Sequence, residues 1–303
     1  LLDKSILIAE TLKLAAQYGL TPCKPLILSD QANLIIHMSP HPLVARYAVA
    51  LSVQDEKAAH RTLERELNVA RHLHDRDVPV LQPSSAVPAG PHKLGGTRMT
   101  LWSYATAASL KPIEPSESVE RVCELSLAMR DFEGELPLLG VWERACHSAA
   151  RLRIQTDPRI AALLEAFQRT DQRMRSEALS LLPCHGDAHA NNLFPSSEGW
   201  IWMDFEDACL MPEYWDMASY VANLALFGGF DEPTFAYMLR YNNVAANPGA
   251  FGFAVKARVL MSTLGNLDYA LEGYGDLGFA TRQLELAGPF IHELDAYFGQ
   301  KLK

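Results

Sequence analysis

Between His185 and Asp216 the chain reads HGDAHANNLFPSSEGWIWMDFEDACLMPEYWD, gathering His185, Asp187, His189, Asn192, Asp204, Glu206, Asp207 and Asp216 among apolar neighbours. His-Gly-Asp is a poor continuation of a helix, so this stretch reads as a loop. Gly186 would permit a close backbone approach that fixes Asp187 in place. Asn192 stands directly before Leu193 and Phe194, and GWIWMDF reads as a short strand ending in Asp204. A turn at Ser196–Gly199 would fold these runs into a hairpin and bring Asn192 beside Asp204. An amide oxygen and a carboxylate on adjacent strand ends form a hard oxygen site that suits Mg²⁺, completed by water and phosphate oxygens. Asp187 could then orient a hydroxyl or accept its proton, which is the division of labour that phosphoryl transfer needs. Two other readings use the same residues. His185, His189 and Asp204 could hold zinc, although Gly186 opposes the helix that an HxxxH pair would want; such a site would suit a metal-dependent hydrolase. Glu206, Asp207 and Asp216 could simply cap helices or pair with arginines.

The elements that must position these residues divide in two. The pattern predicts a helix over 3–18, then strands in KPLILSD, ANLIIHMS and LVARYAVAL separated by turn formers, as in an antiparallel meander. DEKAAHRTLERELNVARHLHD reads as a helix from the spacing of Leu63, Leu67, Ala70 and Leu73, and VPVLQPSSAVPAG and GGTRMTLWSY as two more strands. Past residue 105 helices dominate: EPSESVERVCELSLAMRDFE, then DPRIAALLEAFQRTDQRMRSEALSLL with Asp157 as cap and Pro158 in the first turn, and four further runs from Pro212 onward. The pattern divides the chain into a small sheet-rich part over 1–100 and a larger helical part over 107–303, with the boundary near 101–106.

Composition excludes several classes. The 303 residues are 49% hydrophobic and 21% charged with a formal net charge of -9, which disfavours a protein whose main partner is nucleic acid. The five cysteines are scattered without a CxxC pair, which argues for a reducing compartment. No apolar run is long enough to suggest a membrane span. The acidic, amphipathic first twenty residues do not read as a signal peptide, so a cytoplasmic location is expected, and the missing initial Met suggests a start further upstream.

HGDAHANNLF, followed by WIWMDFEDA and PEYWDMASY, resembles the signature of aminoglycoside and choline kinase-like phosphotransferases, over roughly residues 20–300. The resemblance implies an α+β, two-lobed protein-kinase-like fold: a small antiparallel-sheet N-lobe with one key helix and a larger, mainly helical C-lobe. Only this resemblance makes the part over 1–100 nucleotide-binding and the boundary over 101–106 a hinge. It implies an ATP- or GTP-dependent transfer of the terminal phosphoryl group to a hydroxyl of a small molecule, such as an aminoglycoside or amino alcohol. In this chain Asp187 matches the catalytic Asp, Asn192 and Asp204 the Mg²⁺-binding pair, and Asp216 the helix Asp that supports the loop. Arg46, in LVARYAV, occupies the place of the phosphate-contacting Lys, and Glu66 is its expected helix partner in preference to Glu64. Backbone groups of Thr100, Leu101, Trp102 and Ser103 would meet the adenine edge, with Trp102 lining the purine pocket. Trp142, Asp268, Tyr269 and Tyr274 are candidates for the substrate side. Glu206 stands where many relatives have a small residue, and no role follows for it. The alternative is a kinase-like nucleotide- or metabolite-binding protein that has lost turnover.

Overall fold

The structure is a computed structural model describing residues 3–30, 33–49, 55–94, 96–176 and 180–301. Ala32, Ala50, Leu51 and 177–179, which fall within expected strands and a helix, lie outside these. Its contacts group into two units: one of Leu1–Lys111, Phe132–Glu135 and Asn191–Glu206, and one of Pro112–Asp131, Leu136–Ala190 and Asp207–Lys303.

The first unit opens with α1 (Lys4–Gln17), capped by the Asp3 carboxylate on Ser5 N–H at 2.9 Å. Five antiparallel strands follow: β1 (Lys24–Asp30), β2 (Leu34–Ser39), β3 (Leu43–Tyr47), β4 (His92–Leu94) and β5 (Thr97–Ser103), in the order β1-β2-β3-β5-β4. Period-two burial explains the sheet. Leu34, Ile36 and Met38 of β2 and Ala45 and Tyr47 of β3 join Leu7, Leu14, Met99 and Leu101 in one core. Arg46 falls between Ala45 and Tyr47, so the strand's alternation turns its side chain to the other face. Between β3 and β4 runs α2 (Glu56–His74), capped by Asp55, whose carboxylate accepts the N–H groups of Lys57 and Ala58. The expected strand in VPVLQPSSAVPAG does not form. Pro79, Pro83 and Pro88 lack the N–H a ladder needs, and the segment instead runs irregularly beside β5, with Ser84 N–H on Leu101 C=O at 2.9 Å and Leu101 N–H on Ala89 C=O at 2.8 Å. The hairpin of Leu193–Ser196 and Gly199–Trp202 belongs to this unit: Leu81 N–H reaches Trp202 C=O and Trp202 N–H reaches Pro79 C=O.

The second unit is helical: α3 (Pro115–Met129), α4 (Gly140–Leu152), α5 (Pro158–Met174), α6 (Trp215–Gly228), α7 (Pro233–Met238), α8 (Asn242–Ala246), α9 (Pro248–Leu271) and α10 (Leu277–Lys301). No helix among the described residues is long and apolar enough to cross a membrane. α9 is buried on most sides, through Phe251, Val255, Leu260 and Leu264 among others, which is why its sequence is nearly apolar throughout. Sequence reading missed α4, whose buried Val141, Trp142, Ala145, Ala149 and Leu152 keep a helical spacing. The helix expected over 157–182 stops at Met174, and Leu181–Cys184 is a strand paired antiparallel with Cys209–Pro212. A four-residue apolar run cannot be told from a helix end by periodicity, and its partner lies more than twenty residues downstream.

Candidate active site

In the helical unit, the loop carrying Asp187 is fastened from below. Asp216, fully buried in the first turn of α6, accepts the backbone N–H groups of His185 at 2.9 Å and Gly186 at 3.1 Å. Trp215 Nε1–H donates to Gly186 C=O at 2.8 Å. Burial pushes the Asp216 carboxyl up, against the opposing pull of His185 and these backbone donors. Gly186 has φ +88°, and a Cβ there would sit 2.1 Å from Asp207 O, so this position accepts only glycine without local rearrangement. His185 is fully buried, and its Nδ1 accepts Asp187 N–H at 3.3 Å; it fastens the loop rather than offering a metal ligand.

Asp187 itself meets cations. One carboxylate oxygen accepts from the buried Arg258 guanidinium of α9, and the other lies 3.3 Å from His189 Nε2. Burial would raise its carboxyl, but Arg258, His189 and His185 outweigh that and hold it well below the ordinary carboxylate range. Arg144 of α4 pairs with Asp207 at 2.6 Å and also acts electrostatically on Asp187. Arg258 escaped the sequence reading. Its signal was a lone arginine in the apolar run AVKARVLMSTL, where a buried cation demands a partner.

In the sheet unit the arithmetic reverses. Arg46 is buried and pairs with Glu66 of α2 at 2.6 Å, as expected, while Glu64 is exposed. The same guanidinium also grips Glu206 and lies 3.6 Å from Asp204. Arg65 donates to Glu206 C=O at 2.7 Å, fixing that residue's backbone. Sequence reading assigned Glu206 no role; here it is the second carboxylate on Arg46. Burial, with Asp204 and Glu206 adding to it against the pull of Arg46, pushes the Glu66 carboxyl up to about 8. The hairpin ties Asn192 to the residue before Asp204 through Met203 N–H on Asn192 C=O at 3.0 Å. Asp204 has φ +68°, a left-handed conformation that Asp tolerates better than most residues, and its side chain is 44% exposed.

This donor set fits a magnesium ion. Glu66, Glu206 and Asp204 all face the Arg46 guanidinium, and the amide of Asn192 and carboxylate of Asp204 are hard oxygen donors. Among the described residues no group of three or more His, Cys, Asp and Glu is disposed to cage a metal.

Several backbone groups of the expected hinge residues are already bonded. Both edges of β5 are occupied there: β3 pairs along one, while Leu101 N–H, Leu101 C=O and Ser103 N–H bond to Ala89, Ser84 and Gln82 along the other. These three groups are bonded within the sheet unit. Thr100 and Trp102 are buried and bonded to each other, Trp102 Nε1–H to Thr100 Oγ1 at 2.9 Å. On the substrate side, Trp142 is a core residue, stacked on Phe167 with its Nε1–H on Asp171. Asp268 is buried against Arg151. Tyr269 and Tyr274 are exposed and stacked on each other, with ring centroids 5.5 Å apart.

Comparison with known proteins agrees with this chemistry. Residues 45–250 match the model of the phosphotransferase enzyme family, and the chain belongs to that family. That family is one of phosphotransferase enzymes, and the chain is of that class. No match is found among the curated proteins. Among solved structures, aminoglycoside phosphotransferase from Alicyclobacillus acidocaldarius is similar at 15% identity and TM-score 0.57, covering 99% of this chain and 95% of that one. Choline kinase LicA from Streptococcus pneumoniae is similar at 11% identity and TM-score 0.63, over 94% and 99%. The amicoumacin kinase hAmiN, in complex with AMP-PNP, Ca²⁺ and Ami, is similar at 11% identity and TM-score 0.63, over 98% and 99%. At these identities the likeness shows the fold, which is α+β and protein-kinase-like: an antiparallel sheet with one key helix, and a larger helical part.

Proposed function

We propose that this chain transfers the terminal phosphoryl group of ATP or GTP to a hydroxyl of a small molecule. The observation that carries the reading is an Asp187 carboxylate held ionised by Arg258 on a loop that leads, within five residues, to Asn192 and the Asp204 hairpin. Asp187 orients the acceptor hydroxyl and takes its proton as the oxygen attacks the terminal phosphorus. The new P–O bond forms as the bond to the β-phosphate's bridging oxygen breaks, and the nucleoside diphosphate leaves. Arg46, held by Glu66, offers its charge to the non-reacting phosphates. Asn192 and Asp204 would hold Mg²⁺, which when bound offsets charge on the phosphate oxygens. Adenine or guanine recognition falls to groups other than the bonded backbone of Leu101 and Ser103. A triphosphate donor places the reaction in the cytoplasm.

The relatives named for choline kinase and aminoglycoside phosphotransferase activity make hydroxylated amines the first acceptors to screen. Calorimetric titration with ATP and GTP, each with magnesium and with chelator, is the first test. Saturable, magnesium-dependent binding followed by acceptor-dependent release of diphosphate supports the proposal. A folded protein that binds neither nucleotide sinks it.

A further inference from the structure

In the helical unit, α5, the N-terminal half of α9 and the C-terminal end of α10 enclose a cavity of about 290 Å³. Its inner wall is Phe253 and Phe298, both nearly buried, brought close by Gly252, where a Cβ would meet the Phe298 ring at 2.5 Å. Three cations line it, Arg169, Arg173 and Lys256, with Asp295 the one carboxylate among the described residues on its wall. Lys256 pairs with Asp295 at 2.6 Å. Arg173 lies over the Phe253 ring, its guanidinium carbon 4.2 Å from the ring centroid.

Among the described residues neither Arg169 nor Arg173 meets a carboxylate, although the protein carries a net charge of -9. Elsewhere in the same unit Arg121, Arg151, Arg159, Arg175 and Arg258 each grip one. Arg169 and Arg173 are four residues apart on α5, so both project from one helix face toward the cavity they line. Like charges at that spacing repel, and among the described residues no ion pair to either arginine offsets them. An apolar wall behind them strengthens the field at the opening. Planar guanidinium forks match phosphate and carboxylate oxygens, and the lysine adds a point charge.

We infer that this cavity is a binding site for a small oxyanion carrying at least two negative charges, held by Arg169, Arg173 and Lys256. It is separate from the residues proposed for phosphoryl transfer, and it stands whether or not that proposal does.

The probe is inorganic pyrophosphate, titrated calorimetrically into the full chain with chelator present and at low ionic strength. The expected result is saturable binding to one site. Arg169→Gln combined with Arg173→Gln should weaken it about tenfold or more, the loss expected for removing charge-assisted hydrogen bonds. Asp295→Asn should strengthen it, since it removes the competing carboxylate and releases Lys256. This opposite response keeps the test decisive if the arginine pair costs stability. A folded wild-type chain giving no saturable heat overturns the inference. So does binding that is the same in wild type, the arginine pair variant and Asp295→Asn.

Discussion

The two ends of the proposed reaction are built on opposite charge arithmetic. In the sheet unit one cation, Arg46, is surrounded by Glu66, Glu206 and Asp204. In the helical unit one carboxylate, Asp187, is surrounded by Arg258 and His189. In the first cluster carboxylates outnumber guanidiniums, and burial, with Asp204 and Glu206 adding to it, lifts Glu66 to about 8 against the pull of Arg46 and Arg65. An added cation relieves that cluster. In the second, Arg258 and His189 outweigh burial, so Asp187 stays ionised without an added cation. A metal-assisted transfer needs both: a place that attracts a cation with its phosphates, and an acceptor group that is already a base. Each pattern can be broken separately.

The largest effect is expected at Asp187. Asp187→Asn keeps the size and position of the side chain but cannot accept the hydroxyl proton. Turnover should fall by about a thousandfold, within the range for a lost general base. Nucleotide affinity should be preserved, because the groups proposed to bind phosphate belong to the other cluster. Single-turnover transfer and calorimetric binding, measured on one preparation, separate these readouts. Wild-type turnover in the variant would remove Asp187 from the chemistry.

Next comes the guanidinium in the opposite cluster. Arg46→Gln leaves buried Glu66 facing Asp204 and Glu206 without its cation, and breaking a buried pair in this way costs about 3–5 kcal/mol. The sign of its pH dependence follows from Glu66. Its folded-state carboxyl lies above its ordinary 4.5, so its contribution favours folding at low pH and is lost as pH rises toward about 8. Without Arg46 that loss deepens. Thermal melts should show the variant closest to wild type at acid pH and furthest from it in alkali; a penalty independent of pH would contradict the pairing.

A smaller, more selective effect belongs to Asp204. Asp204→Asn removes a charge from the proposed magnesium pair without emptying the site. Nucleotide affinity in magnesium should fall about tenfold, while the weaker affinity in chelator stays nearly constant. If both fall equally, Asp204 acts on the fold and not through the ion.

The sequence exposed one cluster better than the other. Glu66 was legible because TLERELNVA offers the strand Arg a helix carboxylate. Asn192 and Asp204 were legible because a two-residue turn between short strands fixes the register. The hairpin depends on contacts between near neighbours in sequence, whereas the pairing of Arg46 with Glu66, 20 residues apart, was expected from the family resemblance. Arg258 and the Glu206 bond to Arg46 were not legible, since they join residues 71 and 160 positions apart. The bonds of Leu101 and of Ser103 N–H were hidden because a proline-rich stretch was read as an ordinary strand, and its irregular path along β5 comes from hydrogen bonds between residues 12 to 21 positions apart. Local chemistry could name the groups. Which group each one spends its charge or hydrogen bond on was settled by tertiary packing.

Arg258 gives the last and smallest test of the contrast. It does not react, so Arg258→Gln should lower turnover only several-fold, mainly through looser placement of Asp187. Its diagnostic effect is on pH. In the wild type the cations hold the Asp187 carboxyl well below the ordinary range despite burial. Turnover should therefore show no limb from this group between about pH 5 and 8. Stability linked to Asp187 is present above its ordinary 3.8 and is lost only as pH falls through the lower folded-state value. Removing Arg258 leaves burial as the dominant influence, and burial acts upward. The acid limb of kcat/KM should move toward neutrality, and Arg258→Lys should return most of it. An unmoved limb in Arg258→Gln would mean that Asp187 owes its ionisation to something other than the pairing that sets this cluster apart from the one around Arg46.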